Sequence, residues 1–414
     1  MYKRQTLNKN DPELYKGRDP RASVMENIVK TIDLAIEYLP VKTKVYRISR
    51  DAALLLKARI CLYEGTYRRY RNLEGDAEYL KLAYEAAGAL MDMGHSLYKS
   101  ATPEQSYFDL FIQDKYDTNP EVILAREYDA SINMGNNVSN SIPGAIMGMS
   151  RDCFEEYLCA TTGKPISQCG CHNPDMGQIQ EMENRDGRLL QTVCLPKAGE
   201  YSRYLFREVN GVMTGGASSI FGLLEGTEKK PFYGTSSTGY AIAKFYKASE
   251  HAVGNHKGSI DAPVMRYAEA LLIRAEAGAE LGKDPELDKT VNALRSRVGF
   301  SHKLTMEPDE DPDLVAKYPN VTGPNANLIR EIRRERRIEL FAEGYRWDDV
   351  CRWNVGEIVY NRERRGAKMD PALYTKDEIQ LIEDEVGFDK DGFITPYTKK
   401  STLTMNLSLI HISE

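Results

Sequence analysis

Along the first hundred residues apolar side chains fall three and four positions apart, the spacing of α-helices that bury one face. Ile28, Ile32, Ala35 and Leu39 make one such face, stopped by Pro40, and Leu54, Ala58, Cys61 and Leu62 make a second, ending at Gly65. A third face runs through Leu80, Ala83, Ala87 and Leu90, with Asp76 placed to cap its start and Gly94 to end it. From 263 to 281 the stripe Val264, Ala268, Leu271, Ala275 and Gly278 alternates small and large residues, which lets helices approach toward about 8 Å. Helix pairs of about 34 residues with alanines at the crossings are the pattern of tetratricopeptide-type repeats. The expected fold class is therefore mostly α, on a tetratricopeptide-type scaffold.

Between 131 and 260 the periodicity fails, and Gly, Ser, Asn and Thr collect in stretches such as NMGNNVSNSIPGAIMG and VNGVMTGGASSIFG. A structureless loop of that length is abnormal in a compact chain, so an ordered, irregular layer with few short strands is expected, and scaffolded loops are where binding residues concentrate. The expected division is a helical part at 1–130, a loop-rich binding subdomain at 131–260 and a second helical part of the same domain at 261–406. Residues 407–414, LSLIHISE, read as a non-native tail.

The run 327–353, NLIREIRRERRIELFAEGYRWDDVCRW, carries a charge pattern that its own helix cannot satisfy. Leu328, Ile329, Ile332, Ile338, Leu340, Phe341, Ala342 and Tyr345 keep helical spacing, with Asn327 as N-cap. Yet Arg330/Arg334, Glu331/Glu335, Arg333/Arg337, Glu335/Glu339 and Glu339/Glu343 are like-charged at i,i+4, each costing about 0.2–0.5 kcal/mol in an isolated helix. Neighbouring helices must then supply the partners of Glu335, Glu339 and several arginines. Interleaved glutamates and a formal net charge of -6 argue against a nucleic-acid-binding helix. No apolar run approaches the roughly 20 residues of a membrane span.

These residues also carry a resemblance. RRERRIELFAEGYRWDDVCRW resembles the most characteristic motif of the SusD/RagB family, and SRDAALLLKARICLYEG at 49–65, NPEVILAREY at 119–128 and DAPVMRYAEALLIRAEAGAELG at 261–282 resemble further family segments in the same order. NRDGRLLQTV at 184–193 matches less closely, with Gly187 where the family often has proline. The resemblance implies a non-catalytic nutrient-binding lipoprotein at the cell surface of Bacteroidetes-type outer membranes. It also implies delivery of oligosaccharide to a SusC-like TonB-dependent transporter, with no cofactor. A RagB-like peptide binder and a cytoplasmic tetratricopeptide adaptor are the rival readings. Met1-Tyr-Lys-Arg-Gln opens without a signal segment or lipid-acceptor cysteine, so the chain is expected to be a fragment whose signal and anchor lie upstream, lacking also the family's C-terminal end.

Candidate chemistry is sparse. No G-x-S-x-G, H-E-x-x-H or phosphate-cradling glycine loop is present, and Asp348 with Asp349, as a glycosidase pair, sits in a charged helical setting that suits ion pairing better. Cys153, Cys159, Cys169 and Cys171, with His172 adjacent, are read first as disulfides in an exported protein, with free thiols and then a structural metal as the alternatives, their spacing matching no common zinc module. Arg336, Glu339, Glu343, Gly344, Arg346, Trp347 and Trp353 are read as the structural motif, both tryptophans in the core. Sugar stacking is assigned to aromatics in presumed loops: Tyr67 and Tyr70 after Gly65, Tyr201 and Tyr204, and Phe232 and Tyr233, each with polar neighbours.

Overall fold

Helix α1 (Arg21–Tyr38) buries Met25 and Ile32 and stops ahead of Pro40, the Leu39 N–H donating to the Ala35 carbonyl at 2.9 Å. The computed structural model describes residues 17–144, 148–194, 236–369 and 387–396, with Tyr15, two short strands at 207–209 and 212–214, and Lys376, Ile379, Gln380 and Glu383. Helix α2 (Arg50–Arg69) carries the second apolar face but does not end at Gly65. It continues because Gly65 serves packing there: an added Cβ would lie 2.7 Å from Leu80 Cγ on α3 (Asp76–Met91). The start of α3 is capped by Gly75 in the left-handed region, at φ 80°, and Asp76 is its first residue, paired with Arg69 at 2.8 Å. Leu55, Ala58 and Leu62 of α2 meet Leu80, Ala83 and Ala87 of α3 in one buried cluster.

Strand β1 (Val122–Arg126) follows, and then the irregular layer. Its described residues form short helices, among them Val138–Gly144, Arg151–Phe154, Ile166–Cys169, Gln178–Met182 and Arg188–Thr192. A hairpin of β2 (Arg207–Val209) and β3 (Val212–Thr214) and isolated bridges such as Val193 to Ile242 add to them. The layer has its own apolar core, in which Phe154 stacks on Tyr240 at 4.3 Å and Leu189 and Met182 pack with Ile338 from the charged helix.

The stripe from 263 to 281 proves to be two elements. Ala262–Arg266 is a strand, β4, antiparallel to β1, and helix α4 (Tyr267–Leu281) begins only after it, which leaves Val264 47% exposed. Helical spacing could not foresee this, because the strand partner is supplied from far upstream. From Ala268 to Ala279 nearly every α4 side chain is buried, as befits a helix enclosed on all sides.

Helices α5 (Val291–Arg297), α6 (Ala326–Glu339), α7 (Arg346–Arg352) and α8 (Gly356–Tyr360) complete the scaffold. The 327–353 run is thus a helix, a turn and a second helix. Asn325, not Asn327, is the N-cap; the Asn327 side chain instead accepts from Arg330 at 3.1 Å. Ala342 at φ 60° and Gly344 at φ 89° reverse the chain between α6 and α7.

Most charges of α6 find their partners on other elements, as the like-charge pattern demands, while Glu331 pairs within the helix with Arg334 at 2.6 Å. Glu339, fully buried, accepts from Arg297 on α5 at 2.7 and 2.8 Å, Arg266 on β4 at 2.7 Å and Arg188 at 3.1 Å. Glu335 pairs with Arg188 at 2.5 Å and Arg295 at 2.9 Å. Arg336 reaches Asp349 on α7 at 2.8 Å, and Arg337 reaches Glu156 at 2.6 Å and Asp152 at 2.7 Å. Beyond the turn Glu343 holds Lys244 at 2.7 Å and Arg266 at 2.6 Å, and Arg346 donates to the Tyr318 hydroxyl at 3.2 Å. Burial acts to raise the Glu339 carboxyl, but Arg297, Arg266 and Arg188 outweigh it and hold that carboxyl well below the usual carboxylate range. The network joins the helical scaffold to the irregular layer through Asp186 and Arg188, themselves paired at 2.6 Å.

Candidate ligand-binding surface

Helix α7 divides its residues between core and surface. Arg352 donates to both Glu276 oxygens at 2.6 and 2.7 Å, and the Trp353 indole N–H donates to the same carboxylate at 2.7 Å. Trp353 is fully buried, edge-on to Tyr318 at 5.5 Å and with Arg333 4.6 Å from its ring. Trp347 departs from the core placement expected for it, being 42% exposed. The reason is rotational: at about 100° per residue, Trp347 points some 200° away from Asp349, which the core holds through Arg336 and Arg352.

Trp347 has company. Tyr360 of α8 lies 5.5 Å from it, tilted by 40°, and Arg364 lies 5.7 Å from the Tyr360 ring. On α2, Tyr63 and Tyr67 are stacked at 6.1 Å. Tyr67 is half-buried, with the guanidinium groups of Arg21 and Arg71 at 4.0 and 3.9 Å from its ring. Arg71 also donates to the Cys351 carbonyl at 2.8 Å, tying the end of α2 to α7. Burial raises the Tyr63 hydroxyl, and nearby Cys351 and Asp348 raise it further. The result is a surface strip of half-exposed rings beside arginines and the exposed Asp348.

Several sequence-chosen positions fall elsewhere. Tyr67 lies within α2 rather than in a loop, and Tyr70 is the residue that ends it. Tyr70 donates to Glu280 at 2.5 Å under Arg333 at 4.6 Å, and burial pushes its hydroxyl well up, so it is engaged inside the scaffold. Tyr201, Tyr204, Phe232 and Tyr233 lie outside the described residues. Asp349 is buried between Arg336 at 2.8 Å and Arg352 at 2.9 Å, so it forms no catalytic dyad with Asp348. A cleft of about 300 Å³ opens between Thr162, Gln168, His302, Asp311 and Arg334, but no Phe, Tyr or Trp lines it, so it offers a sugar hydrogen bonds and no stacking face.

The seven cysteines are all free, against the expectation of disulfides. Cys153 is buried in the apolar core of the irregular layer, where burial pushes its thiol up to about 11. Cys159, Cys169 and Cys171 instead gather with their sulfurs within 4.8 Å of one another, as thiols. The spacing alone hides this grouping, which two separate turns create. Tyr63, Tyr360 and the exposure of Trp347 were also missed, although the Tyr63/Tyr67 spacing of i,i+4 was a readable sign.

A model described as the SusD family matches residues 95–400. The chain belongs to the SusD family. Within it, SusD-like protein P38 of Formosa agariphila is 25% identical over 351 residues, covering 82% of this chain and 59% of that protein. SusD-like protein P2 of the same organism is 35% identical over 125 residues, or 29% of this chain and 22% of the relative. Among solved structures, a SusD-like carbohydrate binding protein from Bacteroides fragilis shares the fold with a TM-score of 0.62 at 21% identity, over 91% of this chain and 66% of that one. A structure with xylogluco-oligosaccharide aligns with a TM-score of 0.51 at 18% identity, over 84% of this chain and 60% of that one. This SusD-family chain thus spans less than two thirds of these relatives' lengths, and its described helices are those of the shared SusD-like fold. No helix among the described residues is long and apolar enough to cross a membrane.

Proposed function

We propose that this protein is a non-catalytic, cell-surface oligosaccharide-binding component of nutrient uptake. In this reading it is held to the outer membrane by an N-terminal lipid anchor and passes its ligand to a SusC-like TonB-dependent transporter. The observation that carries the proposal is Trp347, a large ring left exposed beside Tyr360 on a scaffold of the SusD family. Sugars present apolar C–H faces ringed by hydroxyls, so a site for them pairs exposed rings with charged or amide hydrogen-bonding groups. Trp347, Tyr360, Tyr63 and Tyr67 supply rings, and Arg71, Arg364 and Asp348 supply the polar rim. Tyr201, Tyr204, Phe232 and Tyr233 belong to the same proposal as additional stacking residues, and Tyr70, held by Glu280 and Arg333, serves as a support at the end of α2. Relatives with this fold include one named as carbohydrate binding and one solved with xylogluco-oligosaccharide.

Calorimetric titration against a panel of oligosaccharides and peptides, followed by product analysis after long incubation, tests the reading. Saturable binding of at least one glycan, recovered chemically unchanged, is expected. Binding of peptides alone would favour a RagB-like role, and a product whose formation Asp348→Asn abolishes would make the protein a glycosidase.

A further inference from the structure

The thiol cluster of the irregular layer is assembled by two consecutive turns joined at Pro165. In the first, Gly163 N–H donates to the Cys159 carbonyl at 2.8 Å and Cys159 N–H to the Lys164 carbonyl at 2.9 Å, so the chain doubles back at Cys159. In the second, the helix Ile166–Cys169 ends on Gly170 at φ 66°, and that left-handed residue folds Cys171 back over Cys169. The Cys171 amide then donates to the Cys169 sulfur at 3.3 Å. A backbone N–H aimed at a cysteine sulfur stabilises the thiolate, the form that binds metal.

His172 stands beside the cluster. Its Nε2 lies 2.8 Å from the Glu183 carbonyl, which can only accept, so Nε2 carries the proton and Nδ1 of the neutral ring keeps its lone pair. Nδ1 lies 3.3 Å from the Cys169 sulfur, at the edge of the cluster. An imidazole whose far nitrogen is fixed by a backbone carbonyl is the usual supporting arrangement of a metal-bound histidine. A tetrahedral zinc ion, with bonds of about 2.3 Å to sulfur and about 2.0 Å to nitrogen, sets its ligand atoms about 3.8 Å apart between sulfurs and about 3.5 Å between sulfur and nitrogen. The three sulfurs, within 4.8 Å of one another, are already near those separations, whereas Nδ1 is close to the Cys169 sulfur, at 3.3 Å, but outside that mutual distance, so the imidazole has to turn toward Cys159 and Cys171 to join the ion.

We propose that Cys159, Cys169, Cys171 and Nδ1 of His172 form a structural zinc site that clasps the two turns together. Three thiolates and one imidazole suit zinc over the hard cations magnesium and calcium, which take oxygen ligands. With the set filled by protein, no position is left open for a substrate, so the site is structural. Binding releases the thiol protons to solvent and changes no oxidation state. The clasp has consequences nearby: Thr162, Gly163 and Lys164 of the first turn and Gln168 of the second line one wall of the 300 Å³ cleft, and Ala160 N–H bonds the Asn184 carbonyl at 2.6 Å, two residues from Asp186 of the buried ion network.

The test uses the chain reduced, stripped with chelator and titrated with zinc chloride, then separately with cobalt chloride as a spectroscopic probe. One equivalent of each is expected, cobalt giving the intense visible bands of a tetrahedral thiolate site, and zinc raising the melting temperature. Cys171→Ser, at an exposed position, should abolish the bands while the circular dichroism spectrum is unchanged. His172→Ala should weaken zinc binding by more than about tenfold, and Cys153→Ser should leave both bands and affinity as they were. Absence of thiolate bands in the reduced protein, their survival in Cys171→Ser, or their loss in Cys153→Ser would overturn the assignment. So would a cluster that proves to be disulfide-bonded and, once reduced, binds no zinc.

Discussion

At the scale of single residues, Glu339 bears the most. It answers three arginines from three segments, and no water reaches it to replace a lost partner. Removing one member of a buried pair costs about 3–5 kcal/mol, because the remaining charges stay buried and unpaired. Glu339→Ala should therefore lower stability to chemical denaturation by about that amount while leaving ligand affinity of the folded protein unchanged. An unaltered denaturation midpoint would mean the network carries little. A pH dependence follows from the same group. Glu339, Asp349 and Glu343 are held below their ordinary values in the fold, so their stabilisation is complete above the unfolded carboxylate range, about 4, and is lost as pH falls through the folded values. Thermal melts should accordingly drop steeply below about pH 5, while Glu331, whose carboxyl burial pushes up to about 7, adds stability as pH falls from neutral toward 5. The need for partners was legible in the sequence, since like charges at i,i+4 cannot satisfy each other. Their identities were not, because Arg188, Arg266 and Arg297 come from distant segments and nothing local marks them.

At the scale of elements, glycine placement decides both a packing contact and a break. Gly65 reads as a stop in the sequence, yet it lies inside α2 because Leu80 occupies the space a side chain would need. Gly65→Ala should cost about 1–3 kcal/mol by forcing α2 and α3 apart, measured as a lower denaturation midpoint. A midpoint equal to the parent's would show that the helices can shift freely. The apolar faces of α2 and α3 were readable from spacing alone, because burial of one stripe is a local property of a helix. The β1 and β4 pairing was not, since a short strand at the head of a helix imitates helical spacing and its partner lies across the chain. The break after α6 was hidden for a related reason: Ala342 adopts a left-handed conformation that its residue type does not announce.

At the scale of the molecule, buried charge and surface rings divide the work. The ion network joins the irregular layer to the helical scaffold, and the outer face of α7 and the end of α2 carry the strip proposed to bind ligand. The family motif that runs through α6, its turn and α7 therefore serves both, with Trp353 inside and Trp347 outside. The resemblance matched the scaffold, but reading both tryptophans into the core from their helical spacing misplaced Trp347, and four of the proposed stacking residues lie outside the described part. The account is tested most directly by one paired measurement on the glycan that binds the parent protein best: calorimetric affinity and melting temperature of Trp347→Ala. The predicted result is a loss of about 2 kcal/mol, roughly thirtyfold in Kd, with an unchanged melting temperature. Parent-like affinity in the folded variant would contradict the placement of the binding surface on α7.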